Sequence, residues 1–445
     1  MRTLKVYKGC ENRANIKGGA TMKEHSLLQK NRQLRLLLAF AILLVSGLFL
    51  APTKVFAVKL VGEVFPKQAF EYEDTYYVTN VEELNEAFGG NHLIDGQTLV
   101  LQSDVELEQS ILLENYAGNN CIINLNGNTI KVLNKYYFIY LRRALNPEKD
   151  FVQFIGKGNI ISESATLFYN DMRGYRIILS GDITYKAGAQ FFEGLDDLTI
   201  ENGDFEMIPL DNYIDFADFE GAFGKKVEIS GGRFRNQLRI QSDECSISGG
   251  TFDKRVIVVG NSVISGGIMK DCLIIGRRGI IKENACIKNG LYIDEGDECT
   301  IKGGYISGKK YAIYILSDGE EPDQDYAAVK ILGGTIESRS KNGYGIYCEG
   351  TPPCRVTIKN CTIRSKNGNG KSAIYLRDAQ SVKLKADAGK KTLIKGFKYG
   401  LVDKNGGSVR IDKKAVVKAS LTKKKYTSKD KLDKTIKGNL TIYRE

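Results

Sequence analysis

Val227-Glu-Ile-Ser-Gly-Gly-Arg-Phe234, Cys245-Ser-Ile-Ser-Gly-Gly-Thr-Phe252 and Ser262-Val-Ile-Ser-Gly-Gly-Ile-Met269 are three copies of one sentence in this chain. Further copies read Ala285-Cys-Ile-Lys-Asn-Gly-Leu-Tyr292, Cys299-Thr-Ile-Lys-Gly-Gly-Tyr-Ile306, Val329-Lys-Ile-Leu-Gly-Gly-Thr-Ile336 and Val356-Thr-Ile-Lys-Asn-Cys-Thr-Ile363. Looser ones lie upstream at Ile122-Ile-Asn-Leu-Asn-Gly-Asn-Thr-Ile130, Ile178-Leu-Ser-Gly-Asp-Ile183 and Leu198-Thr-Ile-Glu-Asn-Gly-Asp-Phe205. Each alternates apolar and polar residues, breaks on Gly-Gly or Asn-Gly, and resumes with an apolar residue. Alternation at period two marks a strand with one buried face, and Gly or Asn accepts the left-handed backbone of a sharp corner.

Successive copies are separated by about 14 to 30 residues, more than one strand can fill, so each copy is one side of a coil. Stacking the coils aligns an isoleucine column of Ile229, Ile247, Ile264, Ile287, Ile301, Ile331 and Ile358. Two positions earlier runs a column of small or β-branched residues: Val227, Cys245, Ser262, Ala285, Cys299, Val329 and Val356. A buried Ile contributes roughly 1.5–3 kcal/mol, so such columns dominate the stability of a quasi-one-dimensional stack. A sandwich would need hairpin signals, whereas here one motif repeats in one direction.

The Ile-Ser-Gly-Gly-x-Phe copies, the opening rung Asn124-Leu-Asn-Gly-Asn-Thr-Ile130 and later Tyr-Gly-Ile-Tyr strands resemble the right-handed parallel β-helix of the pectate-lyase-like superfamily, from about residue 97 to 417. The fold class is therefore all-β, a single-stranded right-handed solenoid. Spacings of 18 residues from Gly232 to Gly250 and 17 from Gly250 to Gly267 are tight for that family and keep a left-handed hexapeptide helix as the competing architecture. Asn80-Val-Glu-Glu83 reads as a capping box, opening a short helix over Val81 to Phe88 that Gly89-Gly90 stops and that is placed to plug the first coil.

Four segments follow: a signal peptide over 1–57, with Met22 a plausible true start; an N-terminal cap over 58–96; the solenoid over 97–417; and a basic cap or tail over 418–445. Lys30, Arg32 and Arg35 before the apolar run Leu36 to Leu50, then Val55-Phe-Ala57, are the parts of a secretory leader. The run is short for a membrane span, so no span is expected once the leader is cleaved, an uncleaved anchor being the alternative. The chain is expected to be secreted or cell-surface, as in a bacterial exported protein.

The formal charge of +11 is unevenly spread. Residues 58–381 hold 35 Lys+Arg against 45 Asp+Glu, so the body is acidic and no nucleic-acid partner is expected. Lys423-Lys-Lys425 and the run Lys429 to Lys437 are the segment able to meet a polyanion, an anionic wall polymer before DNA. Of 2 His residues, His25 lies in the leader, leaving His92, so a Ser-His-Asp triad or a multi-histidine metal site has almost nothing to be built from. Of the 9 Cys, Cys245 and Cys299 fill small core positions, while Cys348-Glu-Gly-Thr-Pro-Pro-Cys354 is a loop that a disulfide could close.

The later coils carry a second strand: Tyr311-Ala-Ile-Tyr-Ile315, Tyr344-Gly-Ile-Tyr-Cys348, Ser372-Ala-Ile-Tyr-Leu376 and Tyr399-Gly-Leu-Val402. With Ile313, Ile346, Ile374 and Leu401 inward, alternation sends Tyr314, Tyr347 and Tyr375 outward beside Ala312, Gly345 and Ala373. This aromatic ridge is the candidate carbohydrate-binding site; the bland alternative is a tyrosine ladder that only stabilises the sheet. On the ridge reading, Tyr347→Ala weakens glycan binding and leaves stability nearly unchanged. No catalytic residue, metal ligand or cofactor is assigned, although the acidic turns at Asp294 to Glu298 and Asp318 to Asp325 invite Ca²⁺. The stretch Asp211 to Glu220 reads as an insertion between rungs.

The superfamily resemblance implies polysaccharide lyases with calcium-binding aspartates and an Arg or Lys base, or hydrolases with clustered aspartates. None of their residue runs is present: no Asn-Thr-Asp, Gly-His-Gly or Arg-Ile-Lys, no Trp-x-Asp-His or Arg-x-Pro-x-x-Arg. The basic pairs Arg277-Arg278 and Lys309-Lys310 read as solvated strand ends. The expected function is a non-enzymatic surface protein contacting polysaccharide or cell-wall glycan, adhesin-like. The alternatives are a lyase or hydrolase with an atypical site and a purely structural envelope protein.

Overall fold

The computed structural model describes residues 75–89 and 97–444 with breaks at 115–119, 143–149, 164, 171–175, 189, 196, 209–218, 294–297, 319–326, 379, 386, 388–389, 405–407, 412–416 and 422–441. Among the described residues every strand pairing is parallel, which is what a coiled stack requires and a hairpin-built sandwich forbids. Most strands pair with their counterparts one coil earlier and one coil later, and the pairings sort into three faces.

The first face holds the repeat's alternating half. Its inward isoleucines run in register as Ile229, Ile247, Ile264, Ile281, Ile301, Ile331 and Ile358, all 2% exposed or less. One expected member changes. The fourth place belongs to Ile281, with Gly279 in the small-residue column, instead of Ile287 and Ala285. Ile287 lies on the second face, in line with Phe252, Met269 and Ile306. The copy at Ala285 to Tyr292 imitates the motif one strand late, because any inward strand of this solenoid shows the same alternation.

The second face explains the phenylalanine after Gly-Gly. Tyr185, Phe205, Phe234 and Phe252 stack inside the coil with centroids 4.8, 4.8 and 4.9 Å apart and planes within 6° of parallel. That separation is the strand spacing itself, so backbone pairing sets the rings at van der Waals contact. The corner needs glycine: Gly232, Gly250 and Gly267 have φ of 83°, 88° and 85°, and a Cβ on the preceding Gly249 would stand 1.9 Å from the Ser230 carbonyl oxygen of the coil below.

The tight spacings are explained by the third face. In the middle coils a single strand covers the third face and the next first face without a loop: Leu238–Ile247, Val256–Ile264 and Leu273–Ile281. The bend falls at a register shift after Gln241, at Gly260 (φ 133°) and at Arg277 (φ 79°). From residue 298 onward the two faces are separate strands, and the coils lengthen.

At the start, the helix Val81–Gly89 buries Leu84, Ala87 and Phe88 in the solenoid core. The Asn80 side chain accepts from the Glu83 amide (2.8 Å), and the Glu83 carboxylate accepts from the Thr79 amide (2.7 Å). These bonds from Thr79 hold the Glu83 carboxyl below its usual range. No described helix is long and apolar enough to cross a membrane. The leader, His92, the Asp211 insertion and the Lys423 run lie outside the described residues, as does most of both acidic turns; Glu220 and Glu298 and Asp318 are on described strands.

Candidate functional site

The third face of the later coils carries the tyrosines. Leu291, Ile313, Ile346, Ile374 and Leu401 stand in register and fully buried, as the alternation requires. Their outward neighbours form one column, Tyr292, Tyr314, Tyr347, Tyr375 and Val402. Tyr347 and Tyr375 stack 5.0 Å apart with planes 4° from parallel.

The ridge is not exposed. Tyr347 and Tyr375 are each only 7% accessible, so their ring faces are not offered to a sugar, and Tyr314 is half-buried. Ala312 and Ala373 lie in the inner core instead of flanking the ridge, and a Cβ on Gly345 would come 2.5 Å from Ile363. Two successive residues face inward here, so the residue before them faces out. A second outward column, Tyr311, Tyr344 and Tyr399 with Ser372 between, therefore lies against the first. Tyr344 packs edge-on against Tyr347 (5.1 Å) and Tyr375 (5.2 Å), and Tyr311 closes on Tyr347 at 4.6 Å. The result is a small hydrophobic cluster on the outside of the coil, apart from the inner core. Strict alternation hides this arrangement; the signal for it was Tyr311 and Tyr344 recurring three residues before Tyr314 and Tyr347.

One edge of the cluster is sealed by Glu349. It accepts a hydrogen bond from the Tyr314 hydroxyl, one from the Tyr347 hydroxyl (3.2 Å) and one from Arg377 Nη1 (2.9 Å). Burial works to raise its pKa, but those three donors and the arginine charge outweigh it and leave the carboxyl below its usual range. Burial and the Glu349 charge push the Tyr347 phenol above its ordinary value. Glu337 repeats the device on the second face, taking the Tyr305 hydroxyl (2.6 Å) and Arg364 Nε (2.7 Å) from the coils on either side.

The other edge opens. Lys309, Lys310, Ser340, Asn342, Tyr344, Lys371, Lys398 and Tyr399 line a shallow groove of about 750 Å³. Lys310 lies over the Tyr311 ring at 4.9 Å, and Lys371 over Tyr344 at 5.3 Å and Tyr375 at 5.8 Å. Lys309-Lys310 is thus part of a surface feature instead of an isolated solvated pair. A second, smaller groove of about 460 Å³ lies over Lys226, Glu244, Val263 and Arg278 on the first face; its lining mixes both charges with aliphatic side chains and includes no aromatic ring.

Residues 289–411 match the family model described as the right handed beta helix region. That match fixes the hand of the coil and covers every tyrosine and lysine of the site. No curated protein and no solved structure matches the chain. The third-face register runs unbroken from the matched coils back through Leu291, Leu273, Val256 and Leu238, so the tightly spaced coils share that hand and the left-handed hexapeptide alternative falls. Among the described residues no group of three His, Cys, Asp or Glu side chains is placed to hold a metal ion. Cys348 and Cys354 are free and buried, and burial pushes the Cys354 thiol up to about 12; Cys245 and Cys299 are buried in the small-residue column as expected.

Proposed function

We propose that this right-handed β-helix is an exported surface protein that contacts glycans without transforming them, and that the contact is made by the Tyr344–Tyr399 groove in place of the Tyr347 ridge. The observation that carries this reading is the groove's composition: two tyrosines with partly exposed rings, a serine, an asparagine and four lysines on one open strip. Ring faces take the apolar side of a sugar while hydroxyl, amide and ammonium groups reach its oxygens. Strands Tyr344–Thr351, Gly370–Leu376 and Thr392–Asp403 hold Tyr344, Lys371, Lys398 and Tyr399, while Lys309, Lys310, Ser340 and Asn342 come from the turns before them.

The test is a glycan array probed with the full chain and with Tyr344→Ala, Tyr399→Ala and Glu228→Ala. The first two lower binding by about tenfold or more, equivalent to about 1.4 kcal/mol, and the last, on the first face, leaves it unchanged. Absence of binding to every glycan, or product formation in a lyase and hydrolase screen run alongside, refutes the reading.

A further inference from the structure

The lysines of the groove are ordered. Tyr311, Tyr344, Ser372 and Tyr399 share one register line, so the residues just before them, Lys310, Gly343, Lys371 and Lys398, form a line parallel to the solenoid axis. Backbone bonds from Tyr344 N to Lys310 O (2.8 Å) and from Lys371 N to Gly343 O (2.9 Å) fix it. At about 4.8 Å per coil, the Lys310 and Lys371 backbones stand about 10 Å apart, and those of Lys371 and Lys398 about 5 Å. The gap falls on Gly343, where a Cβ would come 2.4 Å from the Lys309 carbonyl oxygen, so position 343 itself adds no side chain to the line between Lys310 and Lys371.

A row of positive charges along a groove matches a linear polymer with a negative charge on each unit. No carboxylate and no arginine lines the groove. A planar carboxylate is best met by the arginine fork, whereas lysine meets a phosphate as a point charge from any direction. Glu349, which bonds to the cluster, is engaged by Arg377 and two tyrosines on the opposite edge.

Resting on the glycan reading above, we propose that the groove binds a carbohydrate or polyol polymer joined by phosphodiesters, laid along the axis with its phosphates over Lys310, Lys371 and Lys398 and its polyol or sugar units against Tyr344 and Tyr399. Because the contacts replace counterions, affinity falls with salt.

The experiment is calorimetric titration of the full chain at two salt concentrations with poly(glycerol phosphate), polygalacturonate, neutral dextran and a single-stranded oligonucleotide. The expected result is that poly(glycerol phosphate) binds tightest. The Lys310→Gln/Lys371→Gln/Lys398→Gln variant then loses at least about tenfold in affinity, with the salt slope reduced by about one for each lysine removed. Its melting temperature is unchanged; should the triple variant melt early, Lys371→Gln and Lys398→Gln are read singly. If polygalacturonate or dextran binds as tightly, through Tyr344 and Tyr399, the phosphodiester proposal is overturned while the glycan reading stands. Binding of the oligonucleotide at equal or greater affinity, or of none of the four, overturns the phosphodiester proposal, and the glycan reading falls with it only if the array is blank as well.

Discussion

The middle coils, residues 219–281, and the later coils, residues 291–403, share one interior and differ in their perimeter. Inside, the third-face column passes without a break from Leu238, Val256 and Leu273 to Leu291, Ile313, Ile346, Ile374 and Leu401. Outside, the position next to it changes from Arg239, Ile257 and Ile274 to Tyr292, Tyr314, Tyr347 and Tyr375 along the same line. The middle coils pass from the third face to the next first face in one bent strand. The later coils separate the strands, and two successive inward residues, Ala312–Ile313, Gly345–Ile346 and Ala373–Ile374, leave the tyrosines before and after them side by side on the outer surface. Inner columns keep the stack in register; outer positions are free to vary and carry the site.

This contrast can be broken in a graded way. Ile301→Asp attacks the interior that both regions share: the side chain is 1% exposed, and an unpaired carboxylate there is expected to cost more than about 4 kcal/mol and unfold the central coils. A soluble, protease-resistant variant would contradict the interior assignment. Phe234→Ala removes one ring from the inner stack and should cost about 3–5 kcal/mol by chemical denaturation. Tyr347→Ala opens the outer cluster instead and should cost about 2–3 kcal/mol, contrary to the expectation that an exposed ridge residue could be removed freely. Equal losses for the two would mean that the outer cluster is as much a core as the inner one.

Glu349→Gln removes the charge that draws Tyr314, Tyr347 and Arg377 together, with an expected loss of about 1.5–3 kcal/mol near neutral pH. Because the folded carboxyl sits below its unfolded value, its contribution is complete above the ordinary glutamate pKa and disappears as pH falls through the lower folded one. Wild type and variant melting curves should therefore converge on acidification. Arg278→Ala, whose 3.9 Å pair with Glu298 is between highly exposed side chains, should change stability by less than about 0.5 kcal/mol.

Much of the fold could be read because its determinants are local. The Ile-Ser-Gly-Gly-x-Phe copies hold period-two alternation and an obligate glycine corner in consecutive residues, and Asn80 to Glu83 spells out the start of its helix. Ile287 is not assignable from adjacent residues, because the motif's alternation there fits two different faces and only the length of the strand Leu273–Ile281 decides between them. Nor is the burial of the tyrosines, because alternation assumes a regular strand and two successive residues face inward at Ala312–Ile313 and Ala373–Ile374. Cys348 and Cys354 could not be settled from their spacing either; in the structure both are free buried thiols.

By itself the sequence determined that this chain coils, which isoleucines face inward over most of its length, and where its corners fall, since each of these follows from residues adjacent in the chain. Tertiary structure alone decided that Tyr347 and Tyr375 are buried, that Glu349 joins three coils, and that Lys310, Lys371 and Lys398 line up beside Tyr344 and Tyr399. Those groups lie on different coils, and their meeting depends on inter-coil register and on a break in alternation that one strand's own pattern does not encode.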